Sequence, residues 1–433
     1  MPLGRQYELL RRAPDFRTLF LASATSGLGT YLALIALIVD VYDRTHSGVW
    51  VAALLIVEFL PILIIGLALG PLVDRLPRRT VMVGADLVRL GVFVALPFAP
   101  SALAIVVFAG IAGFATGFFR PAVYAGLPNL VDDRDLPQAN GLLLAVDSLT
   151  WLLGPVVGGA ILAASGPDPN YVVNAATFLV SALLLMRISA PKLQEHVGLT
   201  GSHLSELKAG FHVVRSSRAL LTVLVAWSIV MVGNGHINVS EVVLAKESMN
   251  GGDLGFGILM GAAGLGLMIG SLLGGAWVER RRMAEAYGAS LALMAAGAGL
   301  AAVSPNVWVA SGFVAAFGLG NGVASVCNPV LVQRGAPDAV RGRAFTVIMS
   351  VNAAVLGLSM AAAGPFTDAA GARWVWAFSA CVYALAAAVG LVMASPIRAP
   401  SSVEVTPVSV MAGGAPQAGA PPGVAAPEAA ERP

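Results

Sequence analysis

The chain of 433 residues is 57% hydrophobic and only 12% charged, with a mean hydropathy of +0.80. A soluble core of that size needs far more charge to cover its surface, so composition excludes a soluble globular protein. The net charge of +2 comes from arginines scattered over many loops, which excludes a nucleic-acid partner.

Taken in chain order, a short segment, 1–15, precedes the first apolar run. Runs near the roughly 20 residues that cross about 30 Å of hydrocarbon then recur almost without a break. They lie at 16–42, 49–72, 80–98, 103–127, 141–164 and 171–188. A polar linker, 189–219, carries Lys192, Glu195, Lys208 and Arg215. A second set follows at 220–244, 255–278, 284–303, 308–332, 344–365 and 374–394. The tail, 397–433, is rich in Pro, Ala and Gly and reads as disordered. The pattern predicts an all-α integral membrane protein with twelve transmembrane helices in two six-helix bundles, 16–188 and 220–396. Run length and Gly and Ala content exclude a β-barrel, whose strands would be about ten residues with polar alternation. The first run is too long, and too closely followed by another, for a cleaved signal.

With the N-terminus placed in the cytoplasm, most of the 26 Lys and Arg fall on that side. Only Arg44, Lys246 and Arg373 fall outside, while Arg89 and Arg120 lie within spans. That bias predicts a multi-pass protein of the plasma membrane with both termini cytoplasmic. Cys327 and Cys381 fall inside spans, so no disulfide framework is expected. No His, Cys and carboxylate cluster has metal-ligand spacing and no GxxxxGK[ST] loop exists to bind ATP, so neither metal nor cofactor is expected. Work against a gradient would therefore draw on an ion gradient or a separate subunit.

The two sets of spans resemble copies of one another. "GPLVDR" from Gly70 follows the second span, and "GAWVER" from Gly275 follows the second span of the second set. "RPAVYAGLPNLVDDRD" from Arg120 and "NPVLVQRGAPDAVRGR" from Asn328 stand apart by nearly the same offset. A duplicated six-helix unit facing itself across a cavity is the architecture of alternating-access transporters.

Over about 14–396 the sequence resembles the major facilitator superfamily, and within it the drug:proton antiporters typified by macrolide efflux pumps and the enterobactin exporter. The residues that carry this are "GPLVDRLPRR", "RPAVYAGLPNLV", "LPQANGL", "GPVVGG" and "RGRAF". The first resembles the signature G-x-L-x-D-R-x-G-R-R, with Pro77 in place of the second glycine. "GPVVGG", with Gly154, Pro155, Gly158 and Gly159, resembles the motif associated with antiporters and favours export over import. Taken by itself that motif also serves close helix crossing and a kink. Thr30 stands where many of the resembling exporters carry an acid, which argues against a preference for cationic drugs.

The candidate site residues fall into four groups. In the gating loop, Gly70, Asp74, Arg75, Arg78 and Arg79, the acid Asp74 ends a helix where the dipole disfavours it. It therefore calls for a helix N-terminus in the other half or an Arg, a contact able to hold one state closed; the arginines by themselves serve topology. Glu58 lies about 13 Å below the outer face by helix rise, deep enough for a charge to be costly, and is the candidate proton carrier or substrate contact. Arg120 and Asp147 count to the same depth, about 10 Å from the cytoplasmic end of consecutive antiparallel helices, and form a candidate coupling pair. Asp86 and Arg89 read as a structural pair nearer the interface, Asp40 as a solvated group at the outer mouth, and His236 as solvated or structural. The fourth group is the cavity wall, with Tyr31 and Trp151 from the first half and Asn234, Asn238, Glu241, Asn321 and Asn328 from the second. Amides there suit an amphiphilic ligand, or else bond helix to helix.

The expectation is a monomeric, proton-coupled exporter of small amphiphilic molecules working by rocking of two halves, and not an enzyme. Its rivals are a nutrient importer or facilitator, which calls for a charged site in both halves, and a non-transporting sensor or scaffold, which calls for a folded soluble domain.

Overall fold

The computed structural model describes residues 3–68, 76–189, 193, 211, 214–215, 217–280, 283–336 and 338–394. Gly70, Asp74 and Arg75 of the predicted gating loop lie outside the described residues, as do most of the linker and the whole tail.

Among the described residues every regular element is helical. Helix α1 (Leu3–Arg12) leads into α2 (Pro14–Thr45), α3 (Gly48–Ala68), α4 (Arg78–Ala95), α5 (Ala102–Gly126), α6 (Leu136–Ser165) and α7 (Asp168–Arg187). Beyond the linker come α8 (Arg218–Val243), α9 (Gly252–Arg280), α10 (Met283–Ala302), α11 (Val307–Gly335), α12 (Asp338–Ala370) and α13 (Ala372–Ala394). Among the described residues ten helices are long and apolar enough to cross a membrane, and α3 is a shorter apolar helix over Gly48–Pro61.

The helix ends follow from local chemistry. Pro14 opens α2, where its missing N–H costs nothing. The Ser101 side chain accepts from the Ala104 N–H at the start of α5, and Asn306 accepts from Val309 at the start of α11. Helices α6 and α12 stop at Gly166 and Gly371, whose φ of 76° and 83° suits glycine alone. Both pairs recur at nearly the offset seen in the loops, so the repeat is written in the helix ends as well.

Polarity runs opposite to that of a soluble protein. Leu272, Leu358 and Val392 point outward, whereas Asp86, Arg89 and Asn170 are buried. Arginines near helix ends bind carbonyls that the helices leave unpaired. Arg78 donates to Ala125 O at 2.8 Å and to Leu193 O at 2.9 Å, Arg79 to Met186 O, and Arg373 to Ala302 O at 2.7 Å. Arg78 and Arg79 thus do more than mark a side of the membrane: they tie α4 to the ends of α5 and α7.

In the first half α2 packs on α6 and α7, α3 on α5, and α4 on α5 and α7. In the second, α8 packs on α12 and α13, α9 on α11, and α10 on α11 and α13. The largest contacts between the halves are α6 with α9 and α3 with α12. The first is a glycine contact: a Cβ on Gly159 would stand 3.0 Å from the Gly257 Cα. The second is polar. Asp368, in the last turn of α12, accepts from the Gly48 N–H at 2.5 Å and the Ser47 hydroxyl at 2.7 Å, so it caps the N-terminus of α3. This is the device expected of Asp74, an acid at a disfavoured helix end satisfied by a helix start in the other half. At the same end of the bundle Lys246 lies 2.5 Å from Asp43 and 2.7 Å from Asp253, joining α8 to α2 and α9.

Asp368→Ala is expected to lower unfolding stability by about 1 kcal/mol, the usual loss of a helix cap. Asp368→Asn keeps an acceptor and is expected to lose less. Thermal unfolding in detergent compares the two, and an equal loss would locate the stabilisation in the charge rather than in the cap.

Candidate functional site

Two adjoining chambers lie among the helices. The first is built from α2 to α6 alone and comprises about 880 Å³ of empty space, its open mouth included. Helix α2 supplies Ser23, Ser26, Gly27 and Thr30, spaced so that one helical face lines the wall. Glu58 enters from α3, where a Cβ on Gly113 would stand 2.5 Å from the Glu58 carbonyl oxygen; α5 therefore packs directly against that turn. One Glu58 carboxyl oxygen is sealed from solvent without a hydrogen-bond partner.

On the facing side Arg120 Nη2 lies 2.7 Å from Asp147 Oδ2, joining α5 to α6. Both side chains keep contact with water, at 46% and 34% exposure, so the pair is held loosely. Tyr31 and Tyr124 complete this polar wall. Arg89 reaches the same chamber but is almost fully buried. It bonds Asp86 and lies 4.4 Å over the Phe119 ring and 4.3 Å over the Phe178 ring. The Asp86 and Arg89 pair, expected as a structural one, is buried in the core, where aromatic rings from α5 and α7 enclose it.

The second chamber, about 950 Å³ of empty space, lies between the halves. Trp151 meets Asn234, Asn238, Glu241 and Asn321 there, among Phe256, Phe317 and Trp376. The Asn234 amide oxygen accepts from the Tyr383 hydroxyl at 2.7 Å, which fixes its orientation. Leu34 and Phe59 line both chambers.

Several expected positions fall elsewhere. Tyr31 lines the polar chamber rather than sharing a wall with Trp151, and Asn328 lines neither, its amide oxygen buried without a partner. Asp40 is buried, not solvated: it pairs with Arg44 at 2.6 Å and accepts from the Tyr171 hydroxyl at 2.9 Å. Of the two readings of His236 the structural one fits: it is buried, Nδ1 lying 2.8 Å from Ser359 Oγ and 2.9 Å from Val232 O, with Phe366 and Phe378 against the ring. Of the motif "GPVVGG", Gly154 and Gly158 face Tyr31 and Leu32 of α2, while Gly159 faces α9. Sequence reasoning passed over the α2 hydroxyl stripe, whose signal is the i, i+3, i+7 spacing of Ser23, Ser26 and Thr30, and over Phe59, beside the acid it singled out.

Membrane-length helices around internal chambers define a polytopic membrane protein of transporter type. The family profile of the Major Facilitator Superfamily matches residues 19–360, and the chain belongs to that superfamily. It is therefore a membrane transporter and not an enzyme. It is 23% identical over 375 residues to macrolide efflux protein A of Streptococcus pyogenes, covering 82% of this chain and 90% of that one. It is 28% identical over 351 residues to the enterobactin exporter EntS of Shigella boydii, covering 77% and 81%. In fold it is similar to a bacterial homologue of the iron transporter ferroportin in the inward-facing state, with a TM-score of 0.71 at 15% identity over 88% of this chain and 99% of that one.

The two ion pairs should behave differently when broken. Asp147→Asn is expected to cost about 1 kcal/mol or less, since water replaces the lost partner. Asp86→Asn leaves the Arg89 charge buried and uncompensated, an effect of roughly 3 to 5 kcal/mol. Melting temperatures of the purified variants test this ranking, and equal losses would contradict it.

Proposed function

We propose that the chain is a proton-coupled exporter of small amphiphilic molecules that works by alternating access. Twelve membrane-spanning helices in two six-helix bundles, 16–188 and 220–396, would rock about the shared chambers, with 1–15, 189–219 and 397–433 in the cytoplasm of a monomer. The twelve-span reading adds α3 and α10 to the ten helices that meet the length and apolarity of a span. The efflux protein and the exporter among the relatives favour export as the direction.

The observation that carries the coupling is the polar chamber. Glu58, with one carboxyl oxygen sealed and unpartnered, faces the same space as the loosely held Arg120 and Asp147 pair. A carboxyl so placed exchanges its proton when its surroundings alternate between protein and water. In the proposed cycle a proton entering from outside neutralises Glu58, or Asp147 beside Arg120, and the cargo leaves outward. With the N-terminus in the cytoplasm, the end held by Asp368 and Lys246 would be the outer one, and these contacts would belong to a state closed to the outside. Asp74, with Gly70, Arg75, Arg78 and Arg79, would latch the opposite end, and Gly154, Pro155, Gly158 and Gly159 would keep the halves close enough to seal. Trp151, Asn234, Asn238, Glu241 and Asn321 contact the cargo body.

Accumulation of a fluorescent amphiphilic dye in cells expressing the chain tests this reading. Wild type is expected to keep dye low, and a protonophore or Glu58→Gln to raise it about tenfold. Low dye that survives both treatments would remove Glu58 and the proton gradient from the mechanism.

A further inference from the structure

The two chambers adjoin at a junction, or waist, marked by the residues that line both. One is hydroxyl-rich and charged, with Thr30, Thr116 and Tyr124 beside Arg120 and Asp147. The other sets Trp151, Phe256 and Trp376 beside the amides of Asn234, Asn238 and Asn321 and the carboxyl of Glu241. Leu34 and Phe59 are the residues common to both. Leu34 is fixed, 6% exposed within the α2 core, whereas Phe59 is 41% exposed. Two residues after Phe59, Pro61 lies inside α3 and has no N–H to give the Val57 carbonyl. The helix around Phe59 therefore lacks one of its own bonds, and the ring stands where the backbone is easiest to shift.

We propose that one cargo molecule occupies both chambers at once, its polar head among the α2 and α5 hydroxyls and its apolar body between the halves. Phe59 is then a specificity-determining residue, because the cross-section that passes the waist is set by its ring against the immobile Leu34. The cargo class is an elongated amphiphile with a compact hydrogen-bonding head and a narrow or flat body. Girth, more than overall size, then decides acceptance. Phe59 also adjoins Glu58 in the chain, so a body lying against the ring bears on the turn of α3 that carries the carboxyl. The inference rests on the amphiphile reading above, though not on its direction of transport or on protons.

The test uses three nitrobenzoxadiazole-labelled probes with one polar head and n-hexyl, benzyl or adamantyl tails. Binding to the purified full chain in detergent is followed by fluorescence polarisation. Phe59→Ala is expected to strengthen adamantyl binding about tenfold relative to n-hexyl. Phe59→Trp is expected to weaken adamantyl by a similar factor while leaving n-hexyl within twofold. Thr116→Val, which alters only the head chamber, is expected to weaken all three tails equally, by about fivefold. Changes at Phe59 that scale every tail alike would overturn the inference while leaving the amphiphile reading in place. A wild type that binds none of the probes would overturn that reading and the inference together. The opposite exchanges at Phe59 guard against a variant that merely fails to fold.

Discussion

Helix α6 holds two neighbours at backbone distance, and the shape of the interior depends on it. On one face Gly154 and Gly158 admit Tyr31 and Leu32 of α2; on another Gly159 admits Gly257 of α9. Hydrocarbon supplies no hydrophobic drive between helices, so association relies on such close packing. The same helix carries Asp147 into the polar chamber and Trp151 into the one between the halves. A side chain added at Gly159 would part α6 from α9 and displace both walls. The antiporter-associated motif is in this chain first a packing device, and its bearing on export would follow from what that packing seals.

The second constraint is that no polar group stays in hydrocarbon unaided. It accounts for features that look unrelated. Arg78, Arg79 and Arg373 spend their donors on helix-end carbonyls, and Asp368 finds the N–H groups of α3. Arg89, deeper still, has Asp86 on one side and two aromatic faces around it. A residue first read as a topology marker or as a charge to be explained is thus part of the joinery of the bundle.

How much of this the sequence disclosed depends on the range of the interaction. Helix ends have local causes, a proline at Pro14, caps at Ser101 and Asn306 and glycines at Gly166 and Gly371, but the expected bounds were drawn from apolar runs alone and used none of them. Depth counting put Arg120 and Asp147 at one level, and they stand 2.7 Å apart; what the pair does is not contained in that count. Asp40 was misread for the opposite reason, and His236 was left between a solvated and a structural reading for the same one. Their partners, Tyr171 and Ser359, are more than a hundred residues away, and no local pattern announces that an outer-end acid will meet a buried phenol. The hydroxyl stripe of α2 was written plainly at helical spacing, but serine and threonine in a membrane helix usually bond their own backbone, as Thr30 does to Ser26. Only the open space beside them distinguishes a lining face from a quiet one.

Burial ranks the charges by what each is able to do. A pair such as Asp86 and Arg89 is costly to part, because either member alone is a charge without water, and it therefore suits a fixed joint. Arg120 and Asp147, at 46% and 34% exposure, separate at less cost, and in the proposed cycle Asp147 would take a proton, or Arg120 a cargo group, in place of its partner. Glu58 is intermediate, with one oxygen sealed and the side chain at the wall of a chamber. A coupled transporter needs all three kinds: a joint that does not yield, a pair that opens readily, and a group whose preferred state changes with its surroundings. The first half of the chain places them within one chamber, while the second lends the aromatic wall and the amides. Proposed coupling and proposed recognition are thereby divided between the halves, and the waist at Phe59 is where one would act on the other.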